Sequence, residues 1–378
     1  MQPFAFATAT EILFGRGQAN FAAARVAGMG SRVFLVHGRD ASRSAKLRAD
    51  IEAAGCDVTG FAVTAEPDMA LIEAGIAAGQ GADAVVAMGG GAVIDAGKAI
   101  AALIPAYRPM LDHLEVVGKG LPLDHAPLPF VAIPTTAGTG AEVTRNAVIG
   151  VPDHRRKVSL RDARMLPRLA IVDPVLTDGC PQGITLASGL DAITQVIEPY
   201  VSTRANPLTD ALCRDAIPRG LAAIRRLMQA EDAIARDEMA WVSLCGGLAL
   251  ANAGLGAVHG LAGPLGGLTG APHGAICGAL LPHVLIANRR AVVDPARLDQ
   301  VGHWIGQAFD RPDDDLEQAA LLLAGWSRDA GLPGLRDLGI DRTAQQAAAE
   351  AATSSSSMKA NPAALSPADL MVVMQAAE

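Results

Sequence analysis

Aromatic residues make up only 3% of the 378-residue chain. A β-sandwich or propeller is therefore disfavoured, and aliphatic, Ala-rich helical packing is favoured. Charge is sparse as well, at 19% against 50% hydrophobic residues, which excludes disorder over most of the length. Basic runs are missing, and 31 Lys+Arg against 39 Asp+Glu leave a net charge of −8. A phosphate backbone calls for the opposite footprint, so nucleic acid is not an expected partner. Five cysteines (Cys56, Cys180, Cys213, Cys245 and Cys277) are scattered and form no CxxC pair. They read as reduced, mostly buried thiols in a reducing compartment. No cation precedes Arg16, so a secretory signal is not expected and a cytoplasmic location is.

One further absence pulls the other way. The 50 residues Met239–Asn288 contain no Asp, Glu, Lys or Arg, long enough for two membrane spans. Their content argues against that. Asn252, His259, His273 and His283 lie inside, with Pro264, Pro272, Pro282 and frequent glycines. A helical core holding polar groups that need partners fits better, and no membrane is expected.

The length suggests two to three domains at about 150 residues each. Apolar runs at Ser31–His37, Asp57–Val63, Ala84–Met88 and Pro129–Ile133 alternate with helix-period stretches at Arg43–Ala54, Met69–Gly79 and Asp95–Ala102. That alternation predicts a parallel sheet covered on both faces. Phe4–Phe14 reads as an edge hairpin. After Asp178 strand signals become rare and helix-period segments follow at Ala187–Val201, Leu208–Met228, Glu231–Ala251 and Glu317–Ala330. The expected architecture is an α/β N-terminal nucleotide-type domain over residues 1–179, which the resemblance given below makes dinucleotide-binding, and an all-α C-terminal domain over residues 180–378.

Three elements suit chemistry. Gly89-Gly90-Gly91-Ala92 follows a buried strand and opens a helix bearing Asp95, so backbone amides can approach an anion such as a pyrophosphate. It matches neither the GxGxxG pattern nor Walker A. Pro134 to Thr144, with Thr135, Thr136 and Thr139, is a polar loop able to hold phosphate or ribose oxygens. Asp191 and Gln195 stand i,i+4 on one helix face, and His259 and His273 lie in the charge-free segment. Singly, each histidine reads as a hydrogen-bonded core residue; two imidazoles and a carboxylate together suit a divalent transition metal. His113, His125, His154 and His303 lie in polar segments and read as surface residues.

Gly89-Gly-Gly-Ala-Val-Ile-Asp-Ala-Gly-Lys98, Pro134 through Thr144, Gly189-Leu-Asp-Ala-Ile-Thr-Gln195 and His259 through Pro272-His-Gly274 together strongly resemble the iron-containing (group III) alcohol dehydrogenases. Order and spacing agree from about Phe14 to Asn361, including Lys157 and the late Ser-Met-Lys-Ala-Asn-Pro. The resemblance implies the dehydroquinate synthase-like, two-domain fold of that family and reversible hydride transfer between an alcohol carbon and a nicotinamide. It implies that Gly90, Gly91 and Ala92 pack on the pyrophosphate, with Asp95, Thr135, Thr136, Thr139 and Lys157 lining the coenzyme. It further implies a metal, Fe²⁺ or Zn²⁺, on Asp191, Gln195, His259 and His273, polarising the substrate oxygen, and a homodimer or higher homo-oligomer.

Two departures stand at the reaction centre. Gln195 occupies a position where the family usually has histidine, and its amide oxygen is the poorer donor, so weakened binding or altered metal choice is expected. Gly263 stands where relatives often carry a histidine suited to proton relay, so the proton must leave by ribose hydroxyl, water or another side chain. At the end of the first strand Gly38 and Arg39 offer space and a cation, which leans toward NADP over NAD; Asp40 restores an NAD preference if the turn is shifted. The substrate is expected to be a small alcohol, aldehyde or ketone. The rivals are a maleylacetate reductase-like enzyme, a dehydroquinate synthase-like lyase, and a catalytically silent nucleotide binder, the last motivated by Gln195 and Gly263 together.

Overall fold

The computed structural model describes residues 3–378. It divides into two compact units, residues 8–136 with 140–177, and residues 178–378 with Ala137–Thr139 and residues 3–7.

The first unit is α/β. It runs β1 (Ile12–Phe14), α1 (Ala22–Ala27), β2 (Arg32–Gly38), α2 (Ala45–Ala53), β3 (Asp57–Val63), α3 (Met69–Ala78) and β4 (Ala84–Gly89). The chain continues through α4 (Gly91–Leu103), α5 (Met110–His113), β5 (Phe130–Pro134), β6 (Asn146–Val151), β7 (Arg156–Arg161) and β8 (Leu169–Val172). Six strands form one parallel sheet in the order β1-β8-β5-β4-β2-β3. Its central strands β4 and β5 are buried at every position, as a sheet covered on both faces requires. Strand β2 shows why a continuous apolar run is needed. Phe34 and Val36 pack with Ile94 and Ile100 of α4, while the alternate Val33 and Leu35 pack with Val26 of α1 and Leu47 and Ile51 of α2.

Sequence pattern and structure part in four places here, the first being β8, a fully buried strand that the pattern reading does not include. The N-terminal hairpin does not form: Ile12–Phe14 is a single edge strand, parallel to Leu169–Val172. A separate antiparallel pair, β6 and β7, is absent from the pattern reading. His113 is buried rather than on the surface, its Nδ1 within 3.1 Å of the Leu121 carbonyl.

The second unit is all helical: α6 (Gln182–Val201), α7 (Pro207–Gln229), α8 (Ala233–Ala253), α9 (Ala257–Thr269), α10 (His273–Ala291), α11 (Ala296–Ala308), α12 (Leu316–Asp329), α13 (Arg342–Ala352) and α14 (Pro367–Ala376). Helix α6 is central, packing on α7, α8 and α10. Small residues allow that closeness: a Cβ on Gly189 would come within 2.6 Å of Ile224, and one on Gly278 within 2.8 Å of Leu190. Residues 3–7 belong with this unit because Asn252 pairs with both the N–H and the carbonyl of Ala7, at 2.7 and 2.9 Å. Among the described residues no single helix is long and apolar enough to cross a membrane. Helices α8 and α9 pass a length-and-composition test only as a pair, and they are bent by 100° at their break. The charge-free stretch thus builds α9 and most of α8 and α10, with Cys245, Val258, Leu261, Ile276 and Leu280 in the core.

Candidate active site

In the α/β unit the chain runs from β2 outward to β3 on one side, and from β4 outward to β5 on the other. The sheet therefore changes direction between β2 and β4. Ligands of open α/β sheets lie outside the carboxyl ends of strands at such a point. The residues that end these two strands are Gly38 and Gly89.

Gly90 caps α4 without any side-chain bond to the first amides. A helix start of this kind presents N–H groups and a positive dipole end to an anion. Gly89 is required by packing, because a Cβ there would fall 2.5 Å from Val93. Gly90 is different: a Cβ would meet only Thr136, at 3.4 Å, so the protein itself leaves this approach open. Thr135 donates its N–H to the Gly89 carbonyl at 2.9 Å, which places Thr135 and Thr136 beside the turn. Asp95 accepts the Val148 N–H at 3.0 Å, tying α4 to β6. Lys157 on β7 lies 3.5 Å from Glu66. Thr139 belongs to the helical unit.

Around Gly38 a Cβ would touch nothing within 4 Å. Arg39 reaches the Thr64 carbonyl at 3.0 Å, at the end of β3. Asp40 is committed elsewhere. Its carboxylate accepts from the backbone N–H and the hydroxyl of Ser42, at 3.0 and 2.7 Å, and caps the turn that follows.

Lys98 had no assigned role beyond its place in the glycine motif. It is buried, and its ammonium donates to Ala141 O, Thr144 Oγ1 and Asn146 O at 2.7, 2.9 and 2.9 Å. Burial pushes the amine down to about 8 and, nearby, pushes Glu142 up to about 7. Three acceptors match the three donors of one ammonium, so this side chain holds the segment after the Thr/Gly loop in place. Lys98→Met is expected to cost about 3 kcal/mol, because three hydrogen bonds from a buried ammonium, two of them to fully buried acceptors, are lost. Thermal or urea unfolding reads this; an unchanged midpoint would refute the positioning role.

In the helical unit Asp191 of α6, His259 of α9, and His273 and Cys277 of α10 converge, with ligand atoms all within 4.8 Å of one another. Asp191 Oδ1 lies 3.3 Å from His259 Nε2 and 3.9 Å from His273 Nε2. It is buried and makes a well-directed hydrogen bond to neither. Cys277 Sγ lies 3.9 Å from His259 Nε2 and 3.6 Å from His273 Nε2. Gln195, one turn from Asp191, flanks the carboxylate, and its own Oε1 is buried and unpartnered.

Burial works against ionisation of Asp191, yet His259, His273 and Gln195 outweigh it and hold the carboxyl down at about 2. Burial likewise opposes charge on the imidazoles. Cys277 and Asp191 nonetheless raise both of them, with Glu198 adding to His259, which goes well above its usual range while His273 reaches about 9. A donor set that draws positive charge, around a buried carboxylate oxygen lacking a partner, fits a divalent cation.

Glu198 was not singled out from the sequence, although it continues the face of Asp191 and Gln195 along α6. Its Oε2 accepts from His259 Nδ1 at 2.7 Å, and its Oε1 accepts the Val258 N–H at 2.8 Å. That orients the ring with Nε2 toward Asp191 and Cys277, the outer support that metal-binding imidazoles use. Asn361, from the late Ser-Met-Lys-Ala-Asn-Pro segment, accepts the Ala257 N–H at 3.0 Å and exchanges two amide bonds with Asn288. Gly256 must be glycine for this: a Cβ would fall 2.8 Å from Asn361 and 2.9 Å from Glu198. A Cβ on Gly263, one turn beyond His259, would meet nothing within 4 Å.

Residues 9–174 match the model of the iron-containing alcohol dehydrogenases, and residues 185–378 match the model of that family's C-terminal domain. The chain belongs to the iron-containing alcohol dehydrogenase family. It is 38% identical over 267 residues to a 1,3-propanediol dehydrogenase of Klebsiella pneumoniae, covering 68% of this chain and 66% of that protein. It is 36% identical over 297 residues to lactaldehyde reductase of Escherichia coli K12, covering 77% and 76%. The crystal structure of a 1,3-propanediol oxidoreductase superimposes with a TM-score of 0.88 at 28% identity, over 100% of both chains. Family membership agrees with the α/β plus all-helical architecture and makes the chain an oxidoreductase of the alcohol dehydrogenase class. Members of the iron-containing family use a nicotinamide coenzyme and a metal, and the Asp–His–His–Cys cluster gathers donors suited to the latter.

Proposed function

We propose that the chain transfers hydride between NADP or NAD and a small alcohol, aldehyde or ketone, in the cytoplasm, as a homodimer or higher homo-oligomer. The observation that carries this reading is the buried, unpartnered Asp191 oxygen facing His259 and His273. Names of relatives, for 1,3-propanediol, lactaldehyde and 4-hydroxybutyrate, favour a short substrate.

When bound, a divalent metal supplies Lewis-acid polarisation of the substrate oxygen, and the nicotinamide supplies or accepts the hydride. Asp191, His259 and His273, with Gln195 alongside, would hold the metal, and Glu198 keeps the His259 ring turned toward it. Gly90, Gly91 and Ala92 would seat the diphosphate on the amides of α4, and Asp95, Thr135, Thr136, Thr139 and Lys157 would line the coenzyme. Gly38 and Arg39 at the end of β2 offer space and a cation, and Asp40 is turned to Ser42 through its Oδ1, which together support NADP. Gly263 brings no relay group, so water, another side chain or a ribose hydroxyl would have to carry the proton.

The test is oxidation of NADPH and NADH against a panel of short aldehydes and ketones, with Fe²⁺, Zn²⁺ or chelator. Turnover that appears with metal and vanishes with chelator is expected. Tight coenzyme binding without turnover under any metal would instead establish the silent nucleotide binder.

A further inference from the structure

We propose that Cys277, in place of Gln195, is the fourth metal ligand of this chain, giving an Asp–His–His–thiolate site that selects Zn²⁺ over Fe²⁺. This rests on the metal reading of the cluster given above.

The first argument is geometric. A tetrahedral zinc with bonds of about 2.0–2.1 Å to N or O and about 2.3 Å to S has edges of about 3.3 Å for N···O and about 3.6 Å for N···S. The observed separations are 3.3 Å for His259 Nε2 to Asp191 Oδ1, 3.9 Å for His273 Nε2 to Asp191 Oδ1, and 3.6 and 3.9 Å for Cys277 Sγ to the two Nε2 atoms. All four edges already lie within a few tenths of an ångström to about 0.6 Å of that polyhedron. The donors surround one point without a cation being placed there.

Second, the placement of Cys277 is dictated by the helix. It follows His273 by four residues on α10, so its sulfur lies one turn along the same face. Cys277 is buried, and its Sγ has both site imidazoles as neighbours. The other four cysteines lie outside the cluster.

Third, Gln195 offers only an amide oxygen, Oε1, buried and without a hydrogen-bond partner. Its side chain flanks the Asp191 carboxylate, and its Cβ is pressed close to α8, where a Cβ on Gly246 would sit only 3.0 Å away. A neutral amide oxygen is also a weak competitor. Thiolate is the soft donor of the set, and softness favours zinc over ferrous iron beyond the ordinary affinity order. The imidazole this chain lacks at position 195 is thus replaced by a donor from another helix.

The measurement is zinc-edge X-ray absorption on the metal-loaded, full-length wild-type enzyme, so it does not depend on a variant folding. One sulfur neighbour at about 2.3 Å is expected. Cobalt-loaded enzyme should show the near-ultraviolet thiolate-to-metal absorption. Both signals should disappear in Cys277→Ser and persist in Gln195→Ala, and the Zn²⁺-over-Fe²⁺ preference in competition binding should fall about tenfold in Cys277→Ser. Stoichiometric zinc with only N/O neighbours, or a sulfur signal that survives Cys277→Ser, overturns the proposal while leaving the dehydrogenase reading intact. Failure of the wild type to bind zinc, cobalt or iron overturns both.

Discussion

Asp191→Asn is expected to strip the enzyme of metal and to lower kcat/KM by about 10³-fold or more, the scale seen when a group that stabilises developing charge on the reacting oxygen is removed. The substitution keeps size and removes charge. It leaves two imidazoles and a sulfur around an amide that cannot compensate a divalent cation. Because Asp191 is buried on α6 between Leu190 and Ala192, both fully buried, the isosteric change should leave the helix packing unaltered. Metal analysis alongside steady-state kinetics reads both parts. Wild-type metal content with activity reduced less than tenfold would remove Asp191 from the centre.

Gly38→Asp is expected to shift the ratio of kcat/KM for NADPH and NADH toward NADH by about 100-fold, about 2.8 kcal/mol at 1.4 kcal/mol per tenfold. The new carboxylate would stand at the end of β2, where it can accept the 2′-hydroxyl of NADH and repel the 2′-phosphate of NADPH. A Cβ at position 38 meets nothing within 4 Å. The neighbouring Asp40 is anchored through its Oδ1, which holds both the Ser42 N–H and hydroxyl. A ratio that stays within threefold of wild type would place the ribose elsewhere.

Much of this molecule is written locally. Apolar runs such as Ala84–Met88 can only be strands buried on both faces, and the glycines after them announce a turn into a helix. Asp191, Gln195 and Glu198 share one face by helical spacing alone, so that edge of the site could be read before any coordinates. The short, wholly buried Leu-Ala-Ile-Val run of β8 carries this signature and still escaped notice; the other strands that did so lack it. In β6 and β7, buried Ala147, Ile149, Val158 and Leu160 alternate with half-buried Asn146, Gly150, Lys157 and Ser159, and only pairing with each other makes them strands. The edge strand Ile12–Phe14 owes its existence to a partner more than 150 residues away.

Cys277 shows the limit most clearly. Along the chain it is one of several thiols in an apolar helix, and nothing in its spacing from His273 distinguishes a ligand from a core residue. What separates the two is the phase and crossing of α6, α9 and α10, set by contacts such as Gly278 against Leu190 and Glu198 against the start of α9. Those contacts join residues that are far apart in sequence. Residue types and periodicities therefore name the donors available, and helix packing decides which of them meet at one point.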